Sequence, residues 1–151
     1  DVANDAIAMK VMLIENRGPD SLDVPLRGYA HTKLLTRQRE WETALHQLDD
    51  LLQEFGSHPL ADDMLFDRAI LLARTAKPEL AIQAYLELPL IHPASFLADR
   101  SLFGAATLQY QILGDRASAI LTFERILKEY PGSLLTTVTR EQIRRLRGDE
   151  V

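Results

Sequence analysis

A chain without cysteine must draw any chemistry from histidine, carboxylate, hydroxyl or cation, and this one carries four histidines, His31, His46, His58 and His92. No two of them stand at the i, i+4 spacing with which a helix offers two imidazoles to one zinc ion. His58 and His92 sit beside prolines in predicted turns, and all four read as solvated loop or helix-face residues. Asp49-Asp50 and Asp62-Asp63 are adjacent carboxylates of the kind that general acid and base catalysis uses. Asp62, Asp63 and Asp99, however, fall in the first turns of predicted helices, where a negative charge gains about 0.3–1 kcal/mol from the helix dipole. Helix-end electrostatics accounts for them. There is no glycine-rich phosphate loop and no nucleophile elbow. No catalytic residue, metal ligand set or cofactor site is predicted, and the chain is not expected to be an enzyme.

One basic cluster, Arg140, Arg144, Arg145 and Arg147, lies in the last predicted helix, opposed between 140 and 147 only by Glu141. Such a patch can receive nucleic acid or an acidic partner. The reading adopted is that cations near a helix C-terminus complement its dipole and keep a terminal helix soluble. With 22 acidic and 17 basic side chains the net charge is −5, which disfavours bulk nucleic-acid binding.

These side chains must be positioned by helices. Among 151 residues, 46% apolar and 26% charged, the apolar ones recur at three- and four-residue intervals, and the composition is that of a folded globular chain. The longest apolar run, Ala69 to Ala73, is five residues, far short of the roughly 20 that cross a bilayer. Turn residues such as Gly18-Pro19-Asp20-Ser21, Gly56-Ser57-His58-Pro59, His92-Pro93 and Pro131-Gly132-Ser133 cut the chain into eight predicted helices. They span about 2–16, 22–37, 40–55, 60–75, 78–91, 95–113, 116–130 and 134–147. Short loops predict antiparallel hairpins. Pro89, which lacks an N–H, predicts that the helix starting near Pro78 ends early or kinks between Tyr85 and Pro93.

The helices repeat. Ala44, Ala81 and Ala119 recur at a nearly constant interval, and in the same register stand Leu48, Tyr85 and Phe123, then Leu51, Leu88 and Ile126, then Leu60, Leu97 and Leu135. Upstream, Thr32, Ala69 and Thr107 are small, while Leu35, Leu72 and Tyr110 are large. Small residues let two helices cross closely and large ones fill the adjoining groove. The breakers keep the register too, with Gly56, Pro93 and Pro131 each twelve residues beyond the alanine. The pattern encodes a repeated helix hairpin.

The segment from Leu113-Gly114-Asp115 through Ala119 and Phe123 to Tyr130-Pro131-Gly132-Ser133 resembles the tetratricopeptide repeat. The resemblance implies an all-α fold of helix hairpins stacked as a right-handed superhelix. It divides a single domain into three units, about 22–56, 57–93 and 94–131, closed by a capping helix at 134–147. The units exceed the family's usual length, and the first two lack the Gly-Asp turn. The longer unit and its Tyr-Pro-Gly-Ser closure resemble repeat proteins of the bacterial envelope, which points to the periplasm or envelope over the cytoplasm. Helix 2–16 stands outside the phase; its Ala3, Ala6, Ile7, Val11 and Ile14 need a cover, either upstream in a longer protein or in a second copy. The chain opens at Asp1 with neither Met nor a signal-like segment and reads as part of a longer protein.

The resemblance also implies a concave surface lined by the first helix of each hairpin: Tyr29, Lys33 and Arg37, then Phe66, Ile70 and Arg74, then Leu108, Gln111 and Ile112. Arg37 and Arg74 occupy equivalent positions, suited to carboxylates of an extended peptide. The family's groove for C-terminal carboxylates needs Lys and Asn at set places that Tyr29 and Lys33 do not reproduce. The expected function is a non-catalytic scaffold for a protein or peptide, with no small-molecule substrate. The alternative is an architectural domain that supports its own chain or a homo-oligomer through helix 2–16.

Overall fold

The computed structural model describes residues 24–149, and the predicted helix 2–16 lies outside them. Seven α-helices make up the described residues, with no strand among them: α1 (Val24–Arg37), α2 (Trp41–Phe55), α3 (Ala61–Arg74), α4 (Pro78–Ile91), α5 (Ala98–Gln111), α6 (Arg116–Glu129) and α7 (Thr136–Arg147). Consecutive helices pack on one another, α1 with α2, α4 with α5, α5 with α6 and α6 with α7. The described residues are thus all-α, with neighbouring helices packed as hairpins within each unit. No helix among the described residues is long and apolar enough to cross a membrane. The described residues divide into two compact units, one up to residue 64 and one from residue 65 onward.

The sequence register is written into the backbone. The residues that end the first helix of each hairpin in the left-handed region are Arg39 (φ 64°), Ala76 (φ 56°) and Gly114 (φ 68°), which recur at the same interval as Ala44, Ala81 and Ala119. Glycine is the residue that adopts this conformation without a Cβ penalty. The first two turns hold it without glycine through one shared bond, from the Glu40 N–H to the Leu35 carbonyl and from the Lys77 N–H to the Leu72 carbonyl, each 3.0 Å. The turns between hairpins repeat as well. The N–H groups of Leu60, Leu97 and Leu135 donate to His58 Nδ1 at 3.2 Å, Ser95 Oγ at 3.1 Å and Ser133 Oγ at 3.0 Å. His58 thus does the turn-closing work that serine does in the next two units.

In the first unit α1 crosses α2 closely at Gly28, where a Cβ would meet the Leu51 side chain at 2.7 Å. Tyr29, Leu35, Ala44 and Leu48 are buried there. In the second unit Leu102 and Ala106 of α5, Ala119, Phe123 and Ile126 of α6, and Ile143 and Leu146 of α7 form one buried cluster. The Phe103 and Phe123 rings meet edge to face, their centres 5.2 Å apart. Ala44, Ala81 and Ala119 are all fully buried, as the repeat requires of close-contact positions.

Of the two outcomes expected at Pro89, an early end or a kink, the structure excludes the first. Helix α4 does not end early but runs to Ile91, and the His92 N–H donates to the Leu88 carbonyl at 2.8 Å. A proline at 89 denies a partner to the carbonyl four residues back, that of Tyr85. Ser101 of α5 supplies it: its hydroxyl donates to the Tyr85 carbonyl at 2.7 Å inside the core. The neighbouring helix therefore supplies the hydrogen bond that the proline withholds. Gly104 helps bring the helices together, since a Cβ there would stand 2.9 Å from Tyr85 Cζ.

Tyr85 sits in this contact, buried, with the Phe66 ring edge-on at 5.7 Å. Burial chiefly, then the Asp67 charge, pushes its phenol up to about 12, against the opposing pull of Arg74. The folded state thus holds the phenolic proton more tightly than the unfolded chain. The associated stability is complete below about pH 10 and is lost as pH rises through about 12. Denaturation at pH 9 and pH 11.5 should show wild type losing more stability than Tyr85→Phe. The difference should be about 2 kcal/mol, from roughly 1.4 kcal/mol per pH unit. Parallel losses would place the phenol in solvent.

Candidate functional site

The first-helix residues divide by burial. In the first unit Tyr29 is only 2% exposed, so it is core rather than an open anchor; a large residue at helical spacing faces whichever side its helix packs. Lys33 Nζ stands 5.5 Å from the centre of that ring, within cation–π range. Arg37 is exposed at the last turn of α1. In the second unit Phe66 is half-buried with its ring edge against Tyr85, Ile70 and Leu108 are half-buried, and Arg74 and Gln111 are exposed. Ile112, which caps α5, is 59% exposed.

The repeat register sorts these residues into columns. Tyr29 and Phe66 correspond to Gly104, the residue whose missing side chain admits Tyr85. Lys33, Ile70 and Leu108 form a second column, and Arg37, Arg74 and Ile112 a third. Arg37 and Arg74 both hold interactions within the protein. Arg74 lies close enough to Tyr85 to oppose the rise in its pKa. Within the second unit, the end of α5 exposes Ile112 and the adjoining Leu113, which is 43% exposed. Sequence reasoning places Leu113 at the end of the predicted helix 95–113 and assigns it no contact, whereas the structure sets it in the turn after α5.

The histidines are spread out, and His31, His46 and His58 are employed locally, whereas the buried His92 Nε2 has no hydrogen-bond partner among the described residues. His31 Nδ1 donates to Gln47 Oε1 at 2.9 Å between α1 and α2, while His46 Nδ1 stands 3.2 Å from Asp50 on an exposed face. No group of three or more potential metal ligands comes together among the described residues. The carboxylates do helix-end work. The Asp115 side chain caps α6 by accepting the Ser118 N–H at 3.0 Å, and hydrogen bonds from Ser118 hold its carboxyl below the usual carboxylate range. Asp99 accepts a hydrogen bond from the Ser133 hydroxyl, tying the start of α5 to the turn before α7. At the far end of the second unit Arg147 pairs with Glu124 of α6.

A family model, that of the tetratricopeptide repeat, matches residues 100–133. This segment takes in nearly all of α5, the Gly114-Asp115 turn, α6 and the Pro131-Gly132-Ser133 closure. No curated protein matches the sequence.

Proposed function

We propose, from the tetratricopeptide repeat at residues 100–133, that the chain is a non-catalytic scaffold that receives a segment of a partner protein on the first helices of its hairpins. Repeats of this family mediate protein–protein interaction. The finer reading takes three hairpin units, about 22–56, 57–93 and 94–131, and assigns contact to their first helices. The observation that carries it is the end of α5, where Ile112 is 59% exposed beside the half-buried Leu108 and the exposed Gln111. An exposed aliphatic group next to an amide suits a peptide, which offers apolar side chains and backbone polar groups together.

Arg37 in the first unit and Arg74 in the second add a positive charge at the same repeat position of a chain whose net charge is −5. Charge-assisted contacts are worth about 1.5–3 kcal/mol each before ordering costs, so micromolar affinity is expected. Affinity capture from the source cells should recover a protein that Arg37→Ala/Arg74→Ala loses. Its affinity, measured by calorimetry, should fall as salt rises. A captured protein whose affinity ignored both salt and the double substitution would sink the arginine assignment.

A further inference from the structure

Arg140 and Arg144 of α7 stand at repeat positions that earlier helices fill with buried apolar residues. In the repeat register Arg140 corresponds to Leu102 and Leu65, and Arg144 to Ala106 and Ala69. All four counterparts are buried. Leu102 and Ala106 lie in one cluster with Ala119 and Phe123 of α6, so this face of α5 is the one its hairpin partner covers. The same face of α7 is exposed and carries guanidinium groups one helical turn apart.

The helix dipole accounts for only part of the cluster. Arg144, Arg145 and Arg147 lie in the last turn of α7, where cations are favoured, but Arg140 lies before it, and the effect fades beyond one turn. Arg147 is paired with Glu124, whereas neither Arg140 nor Arg144 holds an ion pair among the described residues. Both line a shallow cleft of about 410 Å³ between α6 and α7, together with Leu127 and Ile143.

We propose that this face of α7 is a second docking surface, separate from the first-helix surface, for an acidic amphipathic helix of a partner protein. Such a helix would pack where the second helix of a hairpin packs in the earlier repeats. Its carboxylates, spaced one turn apart, would meet Arg140 and Arg144, and its apolar edge would rest on Leu127 and Ile143. Charge complementarity selects the occupant. Two guanidiniums one turn apart over a short aliphatic floor fit paired carboxylates on a helix, whose apolar edge an unstructured run of phosphates lacks.

The test is an amide NMR titration of the full chain with a blocked peptide of about fifteen residues, with Glu at every fourth position, Leu beside it and Ala elsewhere. A Gln-for-Glu version of the peptide and a dT10 oligonucleotide form parallel arms. The proposal expects shift changes centred on Arg140, Ile143, Arg144 and Leu127. Affinity should drop about tenfold or more in Arg140→Gln/Arg144→Gln, and largely recover in Arg140→Lys/Arg144→Lys. Circular dichroism should match wild type for both variants, as their sites are exposed. The proposal is overturned if shifts remain absent up to millimolar peptide, if the Gln peptide binds equally well, if dT10 binds the same residues more tightly, or if the same shifts arise from self-association of the chain alone.

Discussion

Ser101→Ala is expected to destabilise the protein by about 1–3 kcal/mol, because it strips the buried Tyr85 carbonyl of its donor while Pro89 withholds the usual one. The loss should appear as a lower urea midpoint at unchanged slope. In a Pro89→Ala background residue 89 regains its N–H, the carbonyl is served from within α4, and Ser101→Ala should cost well under about 1 kcal/mol. A double-mutant cycle measures the difference directly. The repeat supplies its own control in Thr139, which stands one repeat after Ser101 and is fully buried. The residue corresponding to Pro89 there is Leu127, which has its N–H, and the Thr139 hydroxyl has no hydrogen-bond partner among the described residues. Thr139→Val should therefore be neutral or stabilising, since it removes an unpaired buried hydroxyl. Equal costs for Ser101→Ala with and without Pro89 would refute the compensation.

Ala119→Leu should be at least as damaging. Ala119 is fully buried among Leu102, Ala106, Phe123, Ile126, Ile143 and Leu146, where α5, α6 and α7 converge. A larger side chain must push against Phe123, whose ring is already held edge to face by Phe103, and overpacking of this kind costs typically about 1–3 kcal/mol. Arg116→Lys, at an exposed position in the first turn of the same helix, should change stability by less than about 0.5 kcal/mol. Indistinguishable urea midpoints for the two variants would mean that the assigned face of α6 is wrong.

Most of the fold within the described residues can be read from local signals. Apolar spacing and turn residues predict helices at 40–55, 78–91 and 116–130, against 41–55, 78–91 and 116–129 in the structure. The predicted helix 95–113 is longer than α5 because Leu97 and Leu113, both apolar, belong to turns whose geometry comes from Ser95 and Gly114. Pro89 shows where local reasoning stops. A proline rule sees the missing N–H but not the serine hydroxyl twelve residues on that replaces it from another helix. Arg39 and Ala76 make the same point for turns, since both hold the conformation that glycine signals only at 114. Burial of individual first-helix residues is less legible. Tyr29 and Phe66 share a repeat position, yet Tyr29 is core while Phe66 is only half-buried. Periodicity gives the face of a helix but not how far the neighbouring helix reaches over it. The arginine cluster is visible in sequence, but its composition alone is met by dipole complementation. Only the burial of Leu102 and Ala106 at the equivalent positions marks Arg140 and Arg144 as standing on a face that is covered elsewhere.

The scaffold reading is tested most directly by site-specific photocrosslinking in the source cells. A photoreactive residue replaces Ile112, at the exposed end of α5, or Leu121, which is 63% exposed on α6 and serves as the control. Both sites are accessible, so a difference between them reports contact rather than exposure. The account predicts a discrete protein adduct from position 112, absent from position 121 and diminished when Arg74→Ala is added. Adducts of equal yield from both positions, or none from position 112 while position 121 crosslinks, would contradict it.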